Sequence, residues 1–396
     1  MANDEPHANK IASTRRRAPN LLFVLAANVF GGAEVQTHIL LRGLCNNFNI
    51  TLLTHTPIAP RFSGLPVLPI DFESFGLSSP YYYGWRNVVA YADAIGRVAE
   101  NRQADIVYAV MHNSSLFVAA ARVLHPRRMR HRIVIGSLHG SFVGYFEQRS
   151  APPSYSETAA IRTVIRIMDS IVTPSQGVAH ELVDIFGARR NIVHPIHNGF
   201  DLQAIRDAAR ERLPEPKQGS WIVTCCRLNE QKDFRTLIEA FSRIKPLSGV
   251  KLVIVGDGPE RDLIERLVEA YGLTGKVLLT GYQQNPFPWI QAADVFVLSS
   301  HYEGFGNVIV EAYALGVPVL ASDCRWGPAE IIEHGVNGLL FPPGDAFTLA
   351  RYLDQLLGDS LRREQMGKAA ALRSEHFSQD RMAQEYMQVF NGFSQK

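Results

Sequence analysis

The chain has 396 residues, 46% hydrophobic and 20% charged, which excludes whole-chain disorder and suits two packed domains of roughly 150 residues each. Forty Lys and Arg against 38 Asp and Glu leave a net charge of only +2, which argues against a general nucleic-acid binder. Four cysteines without Cys-x-x-Cys spacing exclude a disulfide scaffold and a Cys-rich zinc site. Cys225 and Cys226 lie side by side in an apolar run and read as small strand residues in a reducing compartment.

Residues 1–19 are polar, carry Arg15, Arg16 and Arg17, and read as a flexible tail. The apolar run that follows is too short for a membrane span and lacks a small-residue cleavage pattern, so a cytoplasmic protein is expected. Short apolar runs at 21–26, 51–54, 105–110, 132–137, 170–173 and 192–196 predict strands. Amphipathic stretches at 33–44, 86–100 and 157–168 predict helices between them. Strands and helices in alternation mean a parallel sheet covered by helices, and continuously apolar strands mean burial on both faces. Residues 201–220 are charged and end in a Pro- and Gly-rich stretch, which reads as a linker. The alternation restarts with strands at 221–225, 250–255, 276–280, 294–298, 317–321 and 338–341, and helices at 234–244, 260–271 and 307–315. Residues 345–393 read as mostly helical. The expected fold class is therefore α/β, with two doubly wound parallel-sheet domains.

Three strand–turn–helix junctions carry the candidate chemistry. In His301-Tyr302-Glu303-Gly304-Phe305-Gly306-Asn307-Val308 the strand before and the helix after point free backbone N–H groups at an anion. Gly304 and Gly306 allow close backbone approach. Glu311 lies one turn inside that helix and leans back toward its start, while Glu303 stands in the loop. Carboxylates do not bind phosphate, so the pair is expected to hold hydroxyls of whatever carries the phosphate. The second junction places Arg227 and Lys232 between a strand and a helix, where an Arg fork and a Lys point charge suit a diphosphate. The third, Asn28-Val29-Phe30-Gly31-Gly32-Ala33-Glu34, is half of a dinucleotide fingerprint without its third Gly. Gly256 and Gly258 read as turn glycines. His139 closes an apolar run at the ligand-facing end of its strand.

Together these residues resemble the retaining glycosyltransferases of family 4, which have the GT-B fold. The resemblance covers residues 20–391 and rests on Gly31-Gly32-Ala33-Glu34, Leu138-His139-Gly140, His197-Asn198-Gly199-Phe200-Asp201, Arg227 with Lys232, and Glu303 with Glu311. Gly327-Pro328-Ala329-Glu330 is further similar to members that build bacterial surface polysaccharides and lipid-linked glycans. The resemblance implies two Rossmann-like domains facing a cleft. The acceptor domain would span 20–200, the linker 201–220, the donor domain 221–375, and a terminal helix at 376–396 would cross back. It implies that Arg227 and Lys232 hold the diphosphate of a nucleotide-sugar and Glu311 the ribose. Glu303 and His139 would contact the sugar. Gly31, Gly32, Phe305, Gly306, Asn307 and Val308 would line the site. Two departures stand out: Asp233 and Cys226 occupy positions where many members carry Gly.

The expected reaction is transfer of a sugar, with retention, from a UDP-sugar to a hydroxyl of a glycan or lipid-linked acceptor. No cofactor is expected, and no metal: no two Asp stand two apart, and Asp71-Phe72-Glu73 reads as a solvated loop. Five arginines in 121–132 without an acid, and the aromatics Tyr81, Tyr82, Tyr83 and Trp85, suit an anionic membrane surface. The alternatives are an epimerase or phosphorylase on the same scaffold, or a non-catalytic nucleotide-sugar-binding subunit.

Overall fold

The computed structural model describes residues 17–27, 32–55, 59–78, 84–149, 154–245 and 249–394. Gly31, Tyr81, Tyr82, Tyr83 and the tail before Arg17 lie outside them. Seven strands form a first, all-parallel sheet: β1 (Asn20–Leu25), β2 (Asn49–Thr54), β3 (Val67–Asp71), β4 (Ile106–Ala109), β5 (Ile133–Ser137), β6 (Ser170–Thr173) and β7 (Val193–Pro195). Their spatial order is β3-β2-β1-β4-β5-β6-β7. Six more form the second sheet: β8 (Ser220–Cys225), β9 (Val250–Val255), β10 (Val277–Gly281), β11 (Val295–Leu298), β12 (Val319–Ser322) and β13 (Gly338–Phe341), in the order β10-β9-β8-β11-β12-β13. Each sheet reverses its winding beside its first strand. That is where open α/β sheets form a crevice at the carboxyl ends of their strands.

Two elements differ from the sequence reading. β3 was not expected: it is a partly exposed edge strand with Pro69 in it, and proline is confined to such edges because it donates nothing to the ladder. Residues 201–220 are not all linker. Asp201 accepts from the amide of Ala204 and caps the helix Leu202–Ala208, whose Leu202 and Ile205 pack in the second core beside Phe200. Its exposed charges concealed an apolar face only two residues wide. The remaining stretch up to Gly219 is irregular.

The chain then returns to the first sheet. The Phe200 amide donates to the Phe377 carbonyl, and the Gln379 amide to the Phe200 carbonyl. This joint launches the helix Gln379–Ser394, whose Met382, Tyr386 and Phe390 fill the core against β1 and β4. Gly43 lets it lie close, since a Cβ there would stand 2.5 Å from that of Ala383. The hydroxyls of Tyr108 and Tyr386 meet at 2.9 Å in the same core.

Candidate active site

Most of the candidate residues gather in a cleft of about 300 Å³ between the two sheets. Gly32, Ala33, Gln36, Met111, His139 and Asn198 line the first domain's wall, and Lys232 with residues 303–308 line the second's. The second wall is built by two loops stitched together. Gln231 donates to the Tyr302 carbonyl at 2.7 Å, the His301 amide donates to the Gln231 carbonyl at 2.8 Å, and the Ser299 hydroxyl donates to the Lys232 carbonyl at 2.7 Å. Lys232 is thereby delivered to the cleft, where its Nζ meets Glu303 Oε1 at 2.5 Å. Ser300 donates to the same oxygen at 2.7 Å. Burial opposes the charge on Lys232, and the adjacent Glu303 carboxylate more than offsets it, so the lysine pKa is raised and the ammonium persists. Glu303 is only 8% exposed, so it is a buried cleft carboxylate and not a solvated loop acid.

Gly306, at φ +99°, turns the loop into the helix Asn307–Ala314, and no side chain caps that start. Its first amides therefore face the cleft beside Lys232, and the helix dipole adds to the same positive field. Gly304 is required by the opposite wall, since a Cβ there would stand 1.9 Å from the His139 carbonyl oxygen. Phe305 packs its ring into the second core, against His197 and Phe377, while also lining the cleft. Glu311 lies below the amides, and burial pushes its carboxyl up to about 7. No partner for it exists among the described residues.

His139 follows β5 and shares a hydrogen bond with Ser137 Oγ at 2.9 Å. Burial, with a smaller push from His112, lowers its pKa to about 4, so it enters the cleft as a neutral imidazole. Arg227 stands apart from this gathering. It is exposed on the loop after β8, has no side-chain partner among the described residues, and is not among the residues lining the cleft. Gly256 and Gly258 hold up that loop: a Cβ on either would collide with the Cys226 or Leu228 carbonyl. Asp233 adopts φ +48°, which explains why glycine suits that position, and it repays the strain by capping the helix Phe234–Arg243 through Thr236.

Sequence reasoning missed what joins the walls. Glu330, from the second domain, accepts from the amides of Gln176 and Gly177, each at 2.8 Å, at the start of the helix Gln176–Asp184 in the first. His197 reaches the same carboxylate at 3.0 Å. Burial would push the Glu330 carboxyl up, but His197 and the two amides outweigh it and hold the pKa below the ordinary value. The Trp326 indole packs on Gly177 and donates to the buried Glu181 at 2.8 Å, and Asn198 donates to Asn307 at 2.8 Å. The motif residues were visible in the sequence, but a carboxylate capping a helix about 150 residues away leaves no local pattern. Substituting Glu330 with Ala should weaken docking of the two domains by about 1–3 kcal/mol, because two helix-start amides lose their acceptor. The check is a raised donor KM together with an enlarged radius of gyration in solution scattering; an unchanged KM would contradict the clasp.

Comparison with known proteins follows the same division. The family model described as Glycosyltransferase Family 4 matches residues 30–204, and that of Glycosyl transferases group 1 matches residues 205–373. The chain belongs to the glycosyltransferases. One relative of this glycosyltransferase is the lipopolysaccharide core biosynthesis glycosyltransferase LpsE of Rhizobium meliloti, 35% identical over 57% of this chain and 64% of that one. Another is the Campylobacter jejuni N-acetylgalactosamine-N,N'-diacetylbacillosaminyl-diphospho-undecaprenol 4-alpha-N-acetylgalactosaminyltransferase, 28% identical over 57% of this chain and 60% of that one. The glycosyltransferase thus spans less than two thirds of either relative. The crystal structure of Anabaena HepE in complex with UDP superposes with a TM-score of 0.76 at 22% identity, covering 94% of this chain and all of that one. The fold of this glycosyltransferase is GT-B.

Proposed function

We propose that the protein is a retaining, metal-independent glycosyltransferase. It would move a sugar from a UDP-sugar to a hydroxyl of a glycan or lipid-linked acceptor in surface-glycan synthesis. The observation that carries this reading is the convergence, in one interdomain cleft, of the Lys232 ammonium and the uncapped start of the helix Asn307–Ala314. Both stand ready before reaction to stabilise a departing diphosphate, the charge that a divalent ion would otherwise neutralise. Arg227, exposed on the loop after β8, would close on the diphosphate when it binds. Glu311 would accept from the ribose hydroxyls, and Glu303 and the neutral His139 would contact the sugar. The relatives' names supply the acceptor class.

Retention by double displacement needs a carboxylate free to attack the anomeric carbon. Glu303 is instead tied to Lys232 and Ser300. The reading is therefore same-face attack, with the departing phosphate oxygen taking the acceptor proton. Release of UDP from a panel of UDP-sugars, with and without lipid-linked acceptors, tests the reaction. Acceptor-dependent UDP release that EDTA leaves intact is expected; release without acceptor dependence would favour a hydrolase, conversion to another UDP-sugar without UDP release would favour an epimerase, and trapping of a glycosyl–protein adduct would defeat same-face attack.

The membrane surface is the second part of the reading, and its basis is narrower than the sequence suggested. Of the five arginines in 121–132, Arg122 pairs with Asp169, Arg128 with Asp93 and Glu100, and Arg132 with the Ala99 carbonyl. The acids come from segments distant in sequence. Arg127 and Arg130 remain exposed, as does Trp85 at 71%. No described helix is long and apolar enough to cross a membrane. Peripheral attachment at the cytoplasmic face would then rest on these three. Flotation with liposomes rich in anionic lipid is expected for the parent and reduced for Arg127→Glu/Arg130→Glu; equal flotation of both would remove these arginines from the account.

A further inference from the structure

One side chain in the first domain's wall of the cleft has polar atoms that the fold leaves unused. Gln36, one turn into the helix Gly32–Leu44, is 4% exposed, and neither its Nε2 nor its Oε1 has a hydrogen-bond partner among the described residues. Buried amides are almost always paired, because leaving one unpaired forfeits its hydration with no return. The polar groups nearby are engaged with each other: His139 with Ser137, Asn198 with Asn307, and Tyr108 with Tyr386. Gln36 lines the cleft beside His139 and Asn198.

The opposite wall holds Lys232 and the first amides of the helix Asn307–Ala314. A nucleotide-sugar with its phosphates on that wall and its ribose at Glu311, as read above, has its sugar left to face the Gln36 side. We propose that Gln36 is a specificity-determining residue that hydrogen-bonds an acetamido group on the transferred sugar. A primary amide offers a donor and an acceptor together, which matches the C=O and N–H of an acetamido group. A single hydroxyl would satisfy the amide only in part. This inference rests on the donor-site reading above and adds the class of sugar to it.

The test is calorimetric titration of the full chain with UDP, GDP and ADP. It continues with the acetamido and 2-hydroxyl sugars of whichever nucleotide binds, UDP-N-acetylglucosamine against UDP-glucose and UDP-N-acetylgalactosamine against UDP-galactose. The parent should bind one acetamido donor at least tenfold more tightly than its hydroxyl counterpart. Gln36→Leu should abolish that preference while binding the free nucleotide within twofold of the parent, and its melting temperature should equal or exceed the parent's, since an unsatisfied amide has been removed. Gln36→Glu keeps the shape but lacks the donor, so it should lose the preference too and serves if the leucine variant does not fold. An unchanged preference in the variants, or a parent that favours the hydroxyl sugars, overturns the assignment of Gln36 alone. Failure of the parent to bind any of the three nucleotides overturns the donor-site reading and this inference with it.

Discussion

Lys232→Ala is expected to lower kcat by two to three orders of magnitude in a protein that still folds. The ammonium is fixed in the cleft by Glu303 and Ser300 on one side and by the stitched loops at Gln231 and Ser299 on the other. A charge held in place in a site with little water stabilises a departing diphosphate at no reorganisation cost, and removing one such group raises the barrier by about 3–4 kcal/mol. The ion pair also sets a competition. A diphosphate must draw Lys232 at least partly away from Glu303. Glu303→Gln should therefore tighten binding of free UDP while slowing sugar transfer, which separates the lysine's role toward phosphate from the carboxylate's role toward the sugar. Steady-state kinetics and titration with UDP check both. Near-normal turnover in Lys232→Ala would remove the central element of the proposed site.

The second large effect concerns Glu311. Its carboxyl, raised to about 7 by burial, binds a proton in the folded protein at pH values where an unfolded chain has released it. Between the ordinary carboxyl value and pH 7 the native state thus holds more protons than the unfolded one, so stability falls as pH rises through that window. Above pH 7 the full penalty, about 3 kcal/mol by linkage, is in force. Glu311→Gln should therefore melt higher than the parent at pH 8 and no higher at pH 4. Function runs the other way. In the proposed site the ionised carboxylate would be the form that accepts from two ribose hydroxyls, so nucleotide affinity should rise with pH up to about 7 and level off. The glutamine variant should lose that step and about 1.5–3 kcal/mol of binding, the usual worth of hydrogen bonds to a charged group. A pH-independent affinity in the parent would contradict the ribose assignment.

The two predictions differ in how far the sequence alone supported them. Strand, glycine turn and helix around Gly306 are a local pattern, as are the β8 loop that carries Lys232 and the continuous apolar runs of both sheets. Each is set by propensities and periodicities acting over about ten residues, so the α/β architecture and most of the second wall could be read directly. β3 escaped because Pro69 and partial exposure make an edge strand look like a loop. The helix Leu202–Ala208 escaped because two apolar residues among charges make too weak a periodicity. The five arginines of 121–132 misled for a related reason: their counter-charges, Asp93, Glu100 and Asp169, come from other segments.

The chain's local patterning determined by itself where its strands, turns and cleft-facing glycines fall, because backbone conformation and burial are encoded over a few neighbouring residues. Only the tertiary structure decided that Lys232 pairs with Glu303 while Arg227 stays free, that Glu330 bridges to a helix of the other domain, and that Gln36 faces the cleft unpaired. Those are pairings between charges and amides far apart in sequence. Which partners meet depends on how separate loops of one domain close on each other, as for Lys232 and Glu303, and on how the two sheets dock, as for Glu330, and neither leaves a periodic trace in the chain.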